Sequence, residues 1–173
     1  MPIDTAVSTS GRATKVVLTL RDLWNSTPEE LDALYAKATT PLLEELDGDY
    51  DGVLLTGQFP PRERQLPITF VNQRWLPWRG KTFSSARGRG ANRFRVAGRK
   101  LALWPFATRV VPSMFGGEPA ASIDYDIPGN AFWMRRGVFD ELKKLRDGLY
   151  LGKGGIRLAG KNRFVFYWAL APA

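Results

Sequence analysis

The chain has 173 residues and a mass of 19.4 kDa, enough for one domain with its own hydrophobic core. Hydrophobic residues make up 44% and charged residues 24%, which is typical of globular rather than disordered proteins. The absence of cysteine and histidine excludes disulfides, cysteine nucleophiles, the usual zinc sites, Ser-His triads and haem ligation through histidine.

The formal net charge of +8 is unevenly distributed along the chain. Between Asp22 and Asp51 there are nine acidic residues and one basic residue, whereas the stretch from Arg64 to Gly117 has eleven basic residues and no acidic one. This pattern indicates an acidic segment packed against a basic one, or a basic face turned toward a partner. Because the sequence shows neither a transmembrane run nor a secretory signal, we expect a cytoplasmic protein.

The first predicted element is an amphipathic helix. Residues Thr27 to Glu30 form a capping box with Pro in the first helical turn, and apolar positions then repeat with helical spacing from Leu31 to Ala38. A similar signature from Thr40 to Glu44 predicts a second, shorter helix that ends at Gly48. Together these elements predict a helical cap over about residues 20–47.

After Gly48 the pattern changes to short apolar runs separated by Gly, Pro or Asn. The runs predict strands at Tyr50–Phe59, Ile68–Trp75, Lys81–Ser84, Arg93–Ala97, Lys100–Trp104, Thr108–Val111, Ser122–Ile127, Leu149–Lys153, Gly155–Leu158 and Arg163–Leu170. Residues 136–147 fit either a short helix or a strand. About 8–10 short antiparallel strands usually close into a barrel. We therefore predict a mainly β single domain over residues 15–173, after a flexible arm over residues 1–14.

Three short sequence motifs follow one another between residues 46 and 152, and the third is spread over three stretches of the chain. Leu46-Asp47-Gly48-Asp49-Tyr50-Asp51-Gly52 is a GxWxG-type opening with Tyr50 in place of Trp, and Trp78-Arg79-Gly80-Lys81-Thr82-Phe83 is a W-x-GK-x-F element. Tyr125-Asp126 is followed by Phe139-Asp140-Glu141-Leu142 and by Gly148-Leu149-Tyr150-Leu151-Gly152. The series resembles lipocalin-like bacterial proteins of unknown function. The resemblance implies a calycin-like antiparallel barrel with a ligand cavity, and it implies no established chemistry.

Aromatic side chains are the first candidates for ligand contact. Trp75, Trp78 and Trp104 lie in the basic middle of the chain, and Phe83 follows Trp78. Such rings can hold a flat ligand by stacking, with a nearby arginine orienting its polar end. The alternative is that these rings fill the barrel core or seal its end.

Basic side chains are the second group of candidates. Arg79 and Lys81 flank Gly80, an arrangement that brackets an anion or forms a solvated hairpin rim. The segment from Arg87 to Arg95 is the densest basic run and fits a solvated loop, a nucleic-acid contact, or a carboxylate clamp made by Arg93 and Arg95 inside the barrel. Arg109 is a further candidate for orienting a ligand.

Asp124, Tyr125 and Asp126 are the candidates for acid/base chemistry. On a strand the two carboxylates are expected to share one face, as a pair of acid/base groups does, and Tyr125 is expected to lie on the opposite face. The alternative is that both carboxylates balance arginines of neighbouring strands or face solvent.

These observations predict a monomeric or homodimeric protein that binds a small hydrophobic molecule, with or without an anionic group, inside a barrel. One alternative is an enzyme on the same barrel, of the isomerase, cyclase or decarboxylase type, that uses Asp124, Tyr125 and Asp126. A second alternative is a nucleic-acid or acidic-partner protein that uses the Arg87–Arg95 segment. No cofactor and no metal are predicted, since the carboxylates do not cluster in the sequence.

Overall fold

The computed structural model describes residues 18–57, 78–158 and 160–173. The described helices are α1 (Leu20–Trp24), α2 (Pro28–Lys37) and α3 (Phe132–Gly137). The strands are β1 (Gly48–Gly57), β2 (Trp78–Ser84), β3 (Arg89–Val96), β4 (Arg99–Val111), β5 (Ala120–Asp124), β6 (Val138–Arg146), β7 (Leu149–Leu158) and β8 (Lys161–Pro172). The predicted arm over residues 1–14 and the predicted strand Ile68–Trp75 lie outside the described residues.

The eight strands form one closed antiparallel barrel. Each strand pairs with its neighbours in sequence order, and β8 pairs back with β1, where Gly52 lies opposite Leu170. Closure removes the open sheet edges, and an eight-stranded barrel has an interior wide enough for side chains or one small ligand. The predicted fold class, a mainly β protein with a calycin-like antiparallel barrel and an N-terminal helical segment, is confirmed. In the described residues no helix is long and apolar enough to cross a membrane.

Residues 138–146, which fitted either a helix or a strand, form β6. Val138 and Asp140 line the interior, whereas Glu141 and Lys143 are buried on the outer face. Because β6 is covered on both faces, its apolar residues do not show the simple alternation of a strand with one face in solvent.

Two pairs of predicted strands are continuous in the structure. Lys100–Trp104 and Thr108–Val111 both belong to β4, and Leu149–Lys153 and Gly155–Leu158 both belong to β7. The gap between the two predicted strands coincides with a shift in the β3–β4 register near Trp104. The strand itself continues through Pro105. The second predicted helix is a single 3₁₀ turn at Leu43–Glu45.

The helical segment lies against the outside of the barrel. The capping box of α2 is confirmed, since Thr27 and Glu30 bond each other's backbone N–H groups. Leu31 and Tyr35 are buried on the wall that includes Leu149 and Leu151. Apolar burial of this kind is the main force that holds a short helix in place.

Acidic residues of the segment from Asp22 to Asp51 form ion pairs with three basic residues. Asp32 of α2 pairs with Lys153 at 2.9 Å, and Glu45 pairs with Lys144 at 2.9 Å. Asp49 and Asp51 of β1 pair instead with Arg93. Part of the acidic segment is thus packed against the basic stretch, as one of the two sequence interpretations expects.

Interior glycines make room for aromatic rings on the neighbouring strand. Gly152 lies opposite Trp168 in the β7–β8 register, and Gly90 lies opposite Phe106 in the β3–β4 register. A Cβ atom at either glycine would overlap the facing ring. The rings of Trp168 and Phe106 therefore pack directly against glycine backbone in the barrel interior.

We expect Gly152→Ala to lower the free energy of unfolding by about 1–3 kcal/mol, because the new methyl group has to displace a fully buried Trp168 ring. Urea denaturation followed by circular dichroism measures this change. Gly137→Ala is the matched control, since Gly137 has an ordinary φ and no atom within 4 Å of its added Cβ. Equal stability of the two variants would contradict the packing argument.

Candidate functional site

One end of the barrel interior holds a cavity of about 250 Å³. Its walls are mostly aromatic and aliphatic and are formed by strands β1, β2, β3, β4, β6 and β8, by Tyr125 just after β5, and by α3. The lining residues are Leu54, Trp78, Lys81, Asn92, Phe94, Trp104, Tyr125, Trp133, Met134, Val138, Asp140, Phe166 and Trp168. An apolar pocket with a few convergent polar groups is the usual form of a small-molecule site.

Four polar side chains meet in this cavity, and we call Lys81, Asn92, Tyr125 and Asp140 the polar node. The Lys81 ammonium donates to Asn92 Oδ1 at 2.9 Å, to the Tyr125 hydroxyl at 2.8 Å and to Asp140 Oδ2 at 3.2 Å. The Tyr125 hydroxyl donates to Asp140 Oδ2 at 2.8 Å. All three N–H groups of Lys81 are therefore already engaged.

The polar node lies almost completely out of water. Lys81 is 2% exposed and Asp140 4% exposed. The Lys81 ammonium is within 4.9–5.4 Å of the ring centres of Phe106, Tyr125 and Trp168. A buried ammonium is tolerated here because it has both a carboxylate partner and aromatic faces around it.

Burial also changes the proton affinities of the node. Loss of hydration lowers the pKa of Lys81, and the Asp140 carboxylate opposes this effect only in part. Burial raises the pKa of Tyr125 well above its ordinary value, and the charge of Asp140 adds to the increase. Tyr125 therefore keeps its proton at neutral pH and acts as a hydrogen-bond donor.

Two buried polar atoms at the cavity have no hydrogen-bond partner within the described residues. They are Oδ1 of Asp140, an acceptor, and Nε1 of Trp168, a donor. Both residues line the cavity. Since buried polar groups are nearly always paired, these two atoms are the unmatched polar positions among the described residues of the cavity wall.

Asn92 connects the polar node to the cavity mouth. Its Oδ1 accepts from Trp78 Nε1 at 3.0 Å, and its Nδ2 donates to the Trp104 carbonyl at 3.3 Å. Trp104 has φ = 53°, a conformation rare for a bulky residue, and its ring packs edge-on against Phe94 at 4.9 Å. The Asn92 bond and the Phe94 contact hold this strained residue in place.

The structure brings several predicted site residues together. Trp78, Lys81, Trp104 and Tyr125 all line the cavity. Phe83 lies deeper in the barrel core and packs edge-on against Tyr50 and Phe106. Trp75 lies outside the described residues.

The predicted arginines lie elsewhere. Arg79, Arg93 and Arg95 line an open cleft on the outer surface, where Arg93 bonds the Tyr50 carbonyl at 2.9 Å and Asp51 at 3.2 Å. The carboxylate clamp by Arg93 and Arg95 inside the barrel is therefore wrong, because the inward positions of β3 belong to Asn92 and Phe94.

Asp124 and Asp126 lie on the outer face, opposite to the inward-facing Tyr125. Asp124 pairs with Arg109 at 3.2 Å, and Asp126 pairs with Arg135 at 2.8 Å. This arrangement separates both carboxylates from Tyr125 and from the cavity, and it uses Arg109 as a surface partner.

Sequence reasoning missed Asn92, Asp140 and Trp168 as cavity residues. Asn92 lies within the basic run from Arg87 to Arg95, and Asp140 lies in a charged segment whose composition is typical of a solvent-exposed surface. The alternation of Val138, Asp140 and Leu142 was the available signal, because it places Asp140 on the same face as two apolar residues. Across residues 18–57, 78–158 and 160–173, no cluster of acidic side chains is suited to hold a metal.

The fold and the site define a closed antiparallel barrel with an internal cavity. No protein-family model matches the sequence, and no curated protein matches it. Among solved structures, a protein from Thermomonospora curvata is similar, with 16% sequence identity and a TM-score of 0.60. The likeness covers 86% of this chain and 88% of that chain. At this identity it shows the fold alone.

Proposed function

We propose that this protein binds a small, largely apolar molecule inside the barrel cavity. The observation that carries the proposal is the combination of apolar walls with a buried polar node that leaves one acceptor and one donor unmatched. Closed barrels of this size commonly hold one small ligand. The likeness of this series of motifs to lipocalin-like proteins supports the same function.

The size of the cavity limits the ligand. An apolar cavity of about 150 Å³ is enough for benzene, so a cavity of about 250 Å³ accommodates a molecule with about two fused rings or an aliphatic chain of similar volume. A larger ligand would require Trp104 or Trp133 at the mouth to move.

The sequence predicted a ligand with or without an anionic group. The charges of the site favour the ligand without one. Arg79, Arg93 and Arg95 lie outside the barrel, and among the described residues that line the cavity Lys81 is the only cation, which pairs with Asp140. A carboxylate in the cavity would lie close to the Asp140 carboxylate. A hydroxyl group, in contrast, has no charge and offers both a donor for an acceptor such as Asp140 Oδ1 and an acceptor for a donor such as Trp168 Nε1.

A series of matched probes tests this function. We expect 2-naphthol to bind with a dissociation constant about tenfold below that of naphthalene, because its hydroxyl pairs the two unmatched atoms. We expect 2-naphthoate to bind more weakly than 2-naphthol. Isothermal titration calorimetry measures all three constants.

Two variants locate the binding in the cavity. Trp168→Phe removes the unmatched donor and should abolish most of the preference for 2-naphthol over naphthalene. Trp24→Phe is the matched control, since Trp24 is half exposed on α1, and it should leave the preference intact. Two results would overturn the proposal. One is that none of the three probes binds, and the other is that Trp168→Phe leaves the preference for 2-naphthol over naphthalene unchanged.

An acid/base enzyme on the same cavity is the second candidate. It is favoured by the Lys81 ammonium lying 2.8 Å from the Tyr125 hydroxyl at the cavity wall, because burial lowers the pKa of Lys81 and so makes it a stronger acid than an ordinary lysine. With Asp124 and Asp126 outside the barrel, Lys81 and Tyr125 would carry this chemistry. Mass spectrometry of a bound ligand before and after incubation decides between the two functions, since an enzyme changes the ligand and a binding protein returns it.

A further inference from the structure

Five large apolar side chains of α3 and β4 are exposed, and two of them, Trp104 and Trp133, line the cavity. Phe132 is 73% exposed, Trp133 61% and Trp104 43%. Leu101 and Leu103, on the same strand as Trp104, are 39% and 42% exposed. We call these five residues the aromatic rim.

Two separate elements form the aromatic rim, and the fold holds them side by side. Phe132 and Trp133 belong to α3, and the other three residues belong to β4. Asn130, just before α3, donates to the Pro105 carbonyl at 2.7 Å, next to Trp104 in β4. Trp104 and Trp133 also line the same cavity. The two elements therefore meet at the cavity mouth, and their exposed apolar side chains lie at this end of the barrel.

Basic residues flank the aromatic rim on both elements. Arg99 and Lys100 are exposed at the β3–β4 hairpin, and Arg135 and Arg136 follow the two exposed rings on α3. The stretch from Trp78 to Gly117 contains no acidic residue, and the nearby Asp126 is paired with Arg135 at 2.8 Å. Asp49 and Asp51 share a cleft with Leu101, but both pair with Arg93, so the described basic side chains around the rim outnumber the acidic ones.

We propose that the aromatic rim docks onto the surface of an anionic lipid bilayer. Aromatic rings with an apolar body insert at the level of the lipid headgroups, and Lys and Arg beside them attract anionic phosphates. Both features occur here on one patch. In this position the cavity mouth faces the bilayer, so that an apolar molecule enters from the lipid without crossing water.

A nucleic acid fits this surface less well. The Arg87–Arg95 run does not form one basic patch, because Arg89 and Arg95 are at opposite ends of β3, about 20 Å apart. Arg93, which lies between them, is bonded to Tyr50, Asp49 and Asp51. A continuous basic groove along a nucleic-acid backbone is therefore missing from the described surface.

Co-sedimentation with vesicles tests the docking surface. We expect the full chain to bind phosphatidylcholine vesicles that contain phosphatidylserine, and to bind pure phosphatidylcholine vesicles at least tenfold more weakly. Phe132→Ser with Trp133→Ser, and separately Arg99→Glu with Lys100→Glu, should each weaken binding to the anionic vesicles at least tenfold. All four side chains are on the surface, so thermal melting should show a folded barrel in both variants.

Arg21→Glu with Lys37→Glu is the matched control, because it makes the same change of charge on the helical segment and should leave binding within about twofold. Absence of binding to anionic vesicles overturns the proposal, as does an equal loss in the control. Binding of a single-stranded oligonucleotide without vesicle binding overturns it in favour of a nucleic acid. A dimer that dissociates on Phe132→Ser with Trp133→Ser overturns it in favour of a second copy.

Discussion

Replacing Lys81 by Met is expected to lower the free energy of unfolding by about 3–5 kcal/mol, because it leaves the Asp140 carboxylate buried without its cationic partner. Methionine is similar to lysine in length, so the loss is one of charge rather than of packing. Urea denaturation measures the change.

A double variant separates charge from shape. Lys81→Met together with Asp140→Asn removes both charges and keeps an acceptor for the Tyr125 hydroxyl. We expect the double variant to recover most of the stability, to within about 1–2 kcal/mol of the original protein. The reason is that an uncompensated charge costs much more in a dry interior than a missing hydrogen bond.

The surface provides the matched control. Arg109→Met breaks a pair with Asp124 of similar length, 3.2 Å, but the arginine side chain is 66% exposed. We expect this variant to lose about 0–1 kcal/mol. If Lys81→Met cost no more than Arg109→Met, the polar node would be open to water, contrary to its burial.

We expect the free energy of unfolding to fall steeply at alkaline pH. All five tyrosines are buried, and the pKa of each is raised, mainly by burial. For Tyr150 burial and the neighbouring Tyr50 raise the pKa to about 12. Above pH 10 the unfolded chain therefore loses protons that the folded chain keeps.

The sign of the effect follows from proton linkage. Where the folded state binds more protons than the unfolded state, stability falls as the pH rises, by up to about 1.4 kcal/mol per pH unit for each tyrosine. Lys81 acts in the opposite direction at lower pH, because its pKa is below 10.5 in the folded protein. Stability should thus not fall as the pH rises toward about 10, and it should fall sharply above that value.

Tyrosinate absorbance and circular dichroism, recorded together during an alkaline titration, measure this behaviour. We expect the tyrosinate signal to appear with the loss of β structure rather than near pH 10 in the folded protein. Tyr150→Phe should make the decline less steep. Titration of several tyrosines near pH 10 with the barrel intact would contradict the argument.

Some features of this protein are determined by sequence alone, because they depend on neighbouring residues. The Thr27–Glu30 capping box places the start of α2, and the turn at Ala97 and Gly98, both with positive φ, joins β3 to β4. Period-two alternation separates Tyr125 from Asp124 and Asp126. These rules act within a few residues, so they hold before the barrel closes.

Only the tertiary structure decides which face is inside and which partners meet there. Lys81 and Asp140 are 59 residues apart, and their contact depends on the register of the strands between them. The alternation of Arg93, Phe94 and Arg95 is the same whichever face is inside, and closure of the barrel turned Phe94 inward. A charged side chain is buried only where it meets a partner of opposite charge. When that partner is distant in sequence, spacing along the chain does not identify it.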